Sequence, residues 1–189
     1  MTRRTTFGRR TLSAETKRWL TALVILGGSL GVYAAKRWNG PPDAPIGGIA
    51  YVIDGDTISI AGRHIRLVDI DAAELHQNCE DARGASWPCG QAAARALRGY
   101  LRGREVSCRA QAYDQYHRAL AVCALPDGTD VNAWIVQQGL AVTSGFAKVY
   151  GTQEREARTA KRGLWIGTFT EPREWRRQHP RSPEEDRKG

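Results

Sequence analysis

The chain has 189 residues, 41% of them hydrophobic, enough for one domain with a core plus tails. Its formal charge of +8 suggests nucleic acid, but residues 1–38 hold eight of the basic side chains against Glu15 alone, which is +7 of the total. The rest is nearly neutral, which excludes a binder that works by bulk positive charge and moves the question to individual residues.

Residues 1–18 form a basic arm, and residues 19–35 an uncharged, largely apolar run. That run is at the short end for a membrane-spanning helix and the long end for the apolar region of a signal peptide. More basic residues precede it than follow it, which orients the arm inward and sends the remainder across a membrane. Val32-Tyr33-Ala34 has the small-x-small character of a cleavage site, so both an uncleaved anchor and a cleaved signal stay open. Either way the expected location of the domain is the periplasm or extracellular space, membrane-anchored or secreted. Arg9-Arg10 fits a twin-arginine signal poorly. Residues 36–45, with Gly40, Pro41, Pro42 and Pro45, read as a stiff linker, and the domain is expected over 46–170, followed by a polar tail over 171–189.

Within the domain, strands are expected at 47–53, 57–60 and 64–68, then a long loop from Asp69 to Pro88. A helix follows over 91–102, with Ala93, Leu97, Tyr100 and Leu101 on one side and Gly103 as its stop. Strands at 105–111 and 118–125 flank a polar turn centred on Asp114–Tyr116. Asp130 caps a helix over 131–138, and Thr152 caps another that Gly163 ends. Five strands with helices inserted after the third and fifth give an α+β, mainly β fold, a small closed or partly closed barrel preceded by the N-terminal hydrophobic helix.

Four cysteines occur, Cys79, Cys89, Cys108 and Cys123, and none forms a CxxC pair, which argues against zinc. An even number behind an export signal reads as disulfides. Three connectivities are possible. The hairpin places Cys108 opposite Cys123 and so favours Cys79–Cys89 with Cys108–Cys123.

The chemistry gathers at the ends of strands. Asp54-Gly55-Asp56 lies between the first two strands, where Asp-Gly is a hairpin signal and paired carboxylates are also how an oxygen-lined cation site begins. Strand three carries Arg66 and runs into Asp69, Asp71 and Glu74, and Arg118 opens the last strand. Carboxylates for a hard cation, guanidinium forks for phosphate oxygens and a spare carboxylate for water suit phosphodiester hydrolysis. The four histidines do not have metal-ligand spacing.

The segments VIDGDT, IRLVDIDAAE, DQYHRALA, VNAWIVQQGLA and EAR–AKRGLW resemble the staphylococcal nuclease-like (thermonuclease) family in its exported bacterial branch. The resemblance spans about residues 46–165. It implies an OB-type five-stranded barrel with about three helices, acting as a monomeric, calcium-dependent endonuclease on DNA or RNA that leaves 5′-hydroxyl and 3′-phosphate ends. It further implies Ca2+ held by Asp56, Asp71 and the backbone carbonyl of Ala72, with Glu74 as general base and Arg66 and Arg118 as the phosphate-binding catalytic arginines. Three positions depart from the family pattern. Ala73 replaces a usual proline, His117 replaces a common glycine, and Gly145, Phe146 and Ala147 stand near the places of pocket tyrosines, with Tyr150 following. Two other readings remain: a membrane-tethered OB module that binds nucleic acid without turnover, and a structural domain whose charges only cap turns.

Overall fold

The structure, a computed structural model, describes residues 44–146 and 148–180. The expectations placed on the basic arm and on residues 19–35 lie outside the described residues, among which no helix is long and apolar enough to cross a membrane.

Alternation builds the barrel. In β1 (Ile46–Val52), β2 (Thr57–Ile60) and β3 (Arg63–Leu67), and again in β7 (Glu105–Tyr113) and β8 (Ala119–Ala124), alternate side chains point into one core, except that β7 leaves it after a register shift between Ala110 and Ala112. Ile58, Ile60, Ile65, Leu67 and Val106 are all essentially inaccessible there. The strands close in the order β1-β2-β3-β8-β7, antiparallel except for the parallel β3–β8 pair. Closure leaves no edge strand in this sheet.

Two short pairs lie outside the barrel. β4 (Ile70–Ala72) pairs with β9 (Ala141–Thr143), and β5 (Cys79–Glu80) pairs with β6 (Ser86–Trp87). The acids, Asn, Gly and Pro of residues 69–88 predict a loop. Asp71 is nevertheless buried within β4, where guanidinium groups neutralise it.

Helix α1 (Cys89–Leu101) buries Ala93, Leu97 and Leu101 against the barrel and stacks Tyr100 on Trp134, ring centroids 3.7 Å apart. Helix α2 (Val131–Gln137) is capped by Asp130, whose carboxylate accepts the Ala133 N–H at 2.9 Å. Helix α3 (Gly151–Thr159) begins one residue before Thr152, whose hydroxyl accepts from Arg155 instead of capping, and a 3-10 turn, Gly163–Ile166, follows it. A fourth helix, α4 (Pro172–Gln178), occupies what the sequence suggested was tail. Cystines join Cys79 to Cys89 and Cys108 to Cys123, the latter directly paired across β7 and β8.

Candidate active site

The β1–β2 turn is made by Asp54 and Gly55, and its product is the placement of Asp56. Asp54 Oδ1 accepts the N–H groups of Asp56 at 3.0 Å and Thr57 at 2.7 Å, an Asx-type turn. A Cβ on residue 55 would lie 2.6 Å from that of Ala72 and 2.9 Å from that of Ala93, so only glycine lets the turn press onto β4 and α1.

Asp56 is buried. Its Oδ1 accepts from the Thr57 hydroxyl at 3.0 Å and from Arg66 Nη1 at 2.8 Å, and its Oδ2 accepts the Ala72 N–H at 3.1 Å. Burial pushes the Asp56 carboxyl up to about 7, against the pull of the Arg66 guanidinium and the Ala72 N–H. Arg66 stands on the outer face of β3 between the core residues Ile65 and Leu67, and its Nη2 also donates to Asp71 Oδ1 at 3.0 Å. One guanidinium thus joins carboxylates from two elements.

The exit from β3 is held by Asn132, a fully buried side chain of α2. Its Nδ2 donates to the carbonyls of Val68 and Ala121 at 3.0 and 3.1 Å, and its Oδ1 accepts the Cys123 N–H at 3.1 Å. Asp69, at φ +62°, then turns the chain into β4, and the Ser144 N–H bonds to its carbonyl at 2.8 Å.

Glu74 is fixed through its backbone. Its N–H donates to Gln77 Oε1 at 3.1 Å, and the Gln77 N–H returns to the Glu74 carbonyl at 2.7 Å. Gln77 is fully buried and also donates from Nε2 to the Thr170 carbonyl at 2.7 Å. Gly90 at the start of α1 lies so close that a Cβ there would fall 1.7 Å from the Glu74 oxygen. The Cys79–Cys89 bond ties the same loop to α1. These ties supply a restraint that Ala73, in place of proline, does not.

Like Gln77 and Asn132, Arg176 of α4 is not marked by the sequence. Its Nη1 and Nη2 donate to Asp71 Oδ1 and Oδ2, each at 2.9 Å, and Nη1 also donates to Glu74 Oε1 at 2.6 Å. Burial alone would lower the pKa of Arg176, but the bonds to Asp71 and Glu74 raise it above its ordinary value. A signal for the helix existed: Pro172 in the first turn, Glu174 beside it, and Arg176 and Arg177 in the last.

Arg118 is placed differently. Among the described residues it pairs with Asp114, Nε to Oδ2 at 2.7 Å, rather than with Asp56, Asp71 or Glu74. Burial would raise Asp114, but bonds from the Arg118 side chain and from the backbone N–H groups of Arg118 and Tyr116 outweigh it and hold the carboxyl below its usual value. The β3–β8 register sets Ile65 beside Ala119, so Arg118 falls next to His64 on the face that carries Arg66. Its guanidinium lies 5.6 Å from the Tyr116 ring centroid. A cavity of about 260 Å³, lined by Arg63, His64, Tyr113, Tyr116 and His117, opens beside it. Of the aromatic residues after α2, Phe146 is fully exposed, whereas Tyr150 is buried and donates its hydroxyl to Asp130 Oδ2 at 3.2 Å.

Among the described residues no group of three His, Cys, Asp or Glu side chains is arranged as a ready metal cage. Arg66 bridges Asp56 and Asp71, and Arg176 bridges Asp71 and Glu74. The expected donor set, made of oxygen atoms only, has the chemistry of a hard-cation site, and the Arg176 guanidinium is a stand-in cation on Asp71 and Glu74.

The family described as Staphylococcal nuclease homologue matches residues 64–167, a span that contains Arg66, Asp71, Glu74 and Arg118 but neither Asp56 nor Arg176. The chain is 40% identical over 124 residues to the succinoglycan biosynthesis protein ExoI of Rhizobium meliloti (strain 1021), covering 64% of this chain and 65% of that protein, just under two thirds of its length. It is 32% identical over 129 residues to an uncharacterized endonuclease of Escherichia coli O157:H7, covering 63% of this chain and 76% of the relative.

Proposed function

Because the chain belongs to the family of staphylococcal nuclease homologues, a family of nucleases, we propose that it is a calcium-dependent endonuclease hydrolysing the phosphodiester bonds of DNA and RNA to 5′-hydroxyl and 3′-phosphate ends. The observation that carries this reading is the single bonded network of Asp56, Arg66 and Asp71, with Glu74 at its border.

Asp56, Asp71 and the Ala72 carbonyl would hold the cation, which supplies positive charge to polarise a phosphoryl oxygen. Glu74 takes the proton of the attacking water; its fixed backbone limits where that carboxylate can reach. Arg66 and Arg118 offer planar N–H forks from one face to the phosphate oxygens, where negative charge grows in the transition state. The exposed rings of Tyr113, Tyr116 and Phe146 provide faces on which bases stack. The protein works as a monomer outside the cytoplasm, anchored by or released from residues 19–35. Two cystines favour that compartment, since such bonds persist where conditions are oxidising.

The test uses the full-length chain with end-labelled single-stranded DNA, with calcium and with chelator. Cleavage is expected with calcium only, and Glu74→Gln is expected to slow it by about a thousandfold while DNA binding persists. Binding without cleavage by the unmodified protein would instead favour a nucleic-acid-binding module, the reading to which the ion pairs of Arg176 with Asp71 and Glu74 lend support.

A further inference from the structure

Arg176 reaches the candidate site from the last helix among the described residues. Asp71 offers it both oxygens and Glu74 one, and the side chains of Asp71 and Glu74 are only 10% and 16% exposed. Two carboxylates so nearly dry repel each other unless a cation lies between them. The guanidinium is that cation here, and its forked geometry takes Asp71 bidentately.

The same oxygens are those a divalent ion would need. Arg176 and such an ion therefore exclude each other, by occupancy of Asp71 and by mutual repulsion.

Among the described residues the remainder of α4 makes few polar ties to the rest of the domain. Pro172 is buried, and the Thr170 carbonyl just before the helix accepts from Gln77. Beyond these, Glu174 pairs with Arg177 and Gln178, and Trp175 stacks on His179, all within the same segment. Among the described residues the ion pairs that leave α4 are those of Arg176.

We propose that Arg176 is a place-holder for the cation and that α4 is its latch: the helix pairs with Asp71 and Glu74 while the ion is away, and a divalent cation binds by displacing it. This rests on the metal-dependent reading above but names a residue outside the span that matches the family.

The test measures calcium binding by titration calorimetry on the full-length protein without nucleic acid, alongside hydrogen exchange of residues 172–178 with and without calcium. Arg176→Ala is expected to bind calcium at least fivefold more tightly, with Arg176→Lys between it and the unmodified chain, because an ammonium keeps the charge but loses the fork. Calcium is expected to speed exchange in α4 of the unmodified protein, and to leave it unchanged in Asp71→Asn. Arg176→Gln, which keeps a polar side chain, repeats the measurement should the alanine variant fold poorly. Equal or weaker calcium binding by folded Arg176 variants overturns the latch, as does calcium binding to the unmodified chain with no change in α4; in both cases the metal reading survives. If neither the unmodified chain nor the variants bind calcium, the metal reading fails and the latch fails with it.

Discussion

At the scale of residues, the polar side chains that position the carboxylates are as informative as the carboxylates. Gln77 makes bonds to Glu74 and to Thr170, and replacing it with Leu strands the Glu74 N–H and the Thr170 carbonyl in the interior. The expected cost is about 2 kcal/mol in urea unfolding. Cleavage is expected to fall with KM nearly unchanged, since the base is displaced while the phosphate arginines stay. Asp56, Arg66, Asp71 and Glu74 were legible in the sequence because they lie within one short span in a recognisable order. Gln77, Asn132 and Arg176 were not. Their meaning depends on partners 93, 64 and 105 residues away, and a lone Gln, Asn or Arg in sequence carries no mark of such a partner.

Elements show where local rules sufficed and where tertiary packing overrode them. The five barrel strands and the hairpin that sets Cys108 against Cys123 followed from alternation and turn chemistry. β4 did not, because an aspartate in a three-residue strand is tolerated only once Arg66 and Arg176 have arrived. The β1–β2 turn has no slack: Gly55→Ala forces a Cβ into Ala72 and Ala93, and about 2 kcal/mol of stability should be lost, read by thermal or urea unfolding. The β7–β8 turn has the opposite character. His117 sits at φ +60°, a conformation glycine adopts without strain, so His117→Gly is expected to raise stability by up to about 1 kcal/mol. The same turn should respond to acid. Asp114 has a lowered carboxyl pKa when folded, so its contribution is present above the unfolded value and is lost as pH falls through the folded one. The Arg118 Nε nitrogen resonance should shift as pH drops below the ordinary carboxylate range, and should stay still in Asp114→Asn.

For the whole domain, the two cystines divide the labour. Cys108–Cys123 closes a span of 15 residues inside the barrel, and its removal by paired Ala substitution is expected to cost about 3 kcal/mol with little change in cleavage once folded. Cys79–Cys89 holds the Glu74 loop against α1, so its removal should depress cleavage more than unfolding free energy. Comparing the two double variants by urea denaturation and by DNA cleavage under non-reducing conditions separates these effects.

Barrel closure also sets a clock. Ile46 pairs with Cys108, roughly sixty residues along the chain, and drawing such distant segments together costs on the order of 4 kcal/mol of entropy before any packing repays it. The parallel partners Ile65 and Ala119 are almost as far apart. A transition state dominated by such distant pairings forms slowly, in milliseconds to seconds rather than microseconds. The segment from Asp56 to Glu74 therefore acquires its geometry late, as the last strands close the barrel, and during refolding cleavage should return no earlier than tryptophan fluorescence regains its final signal.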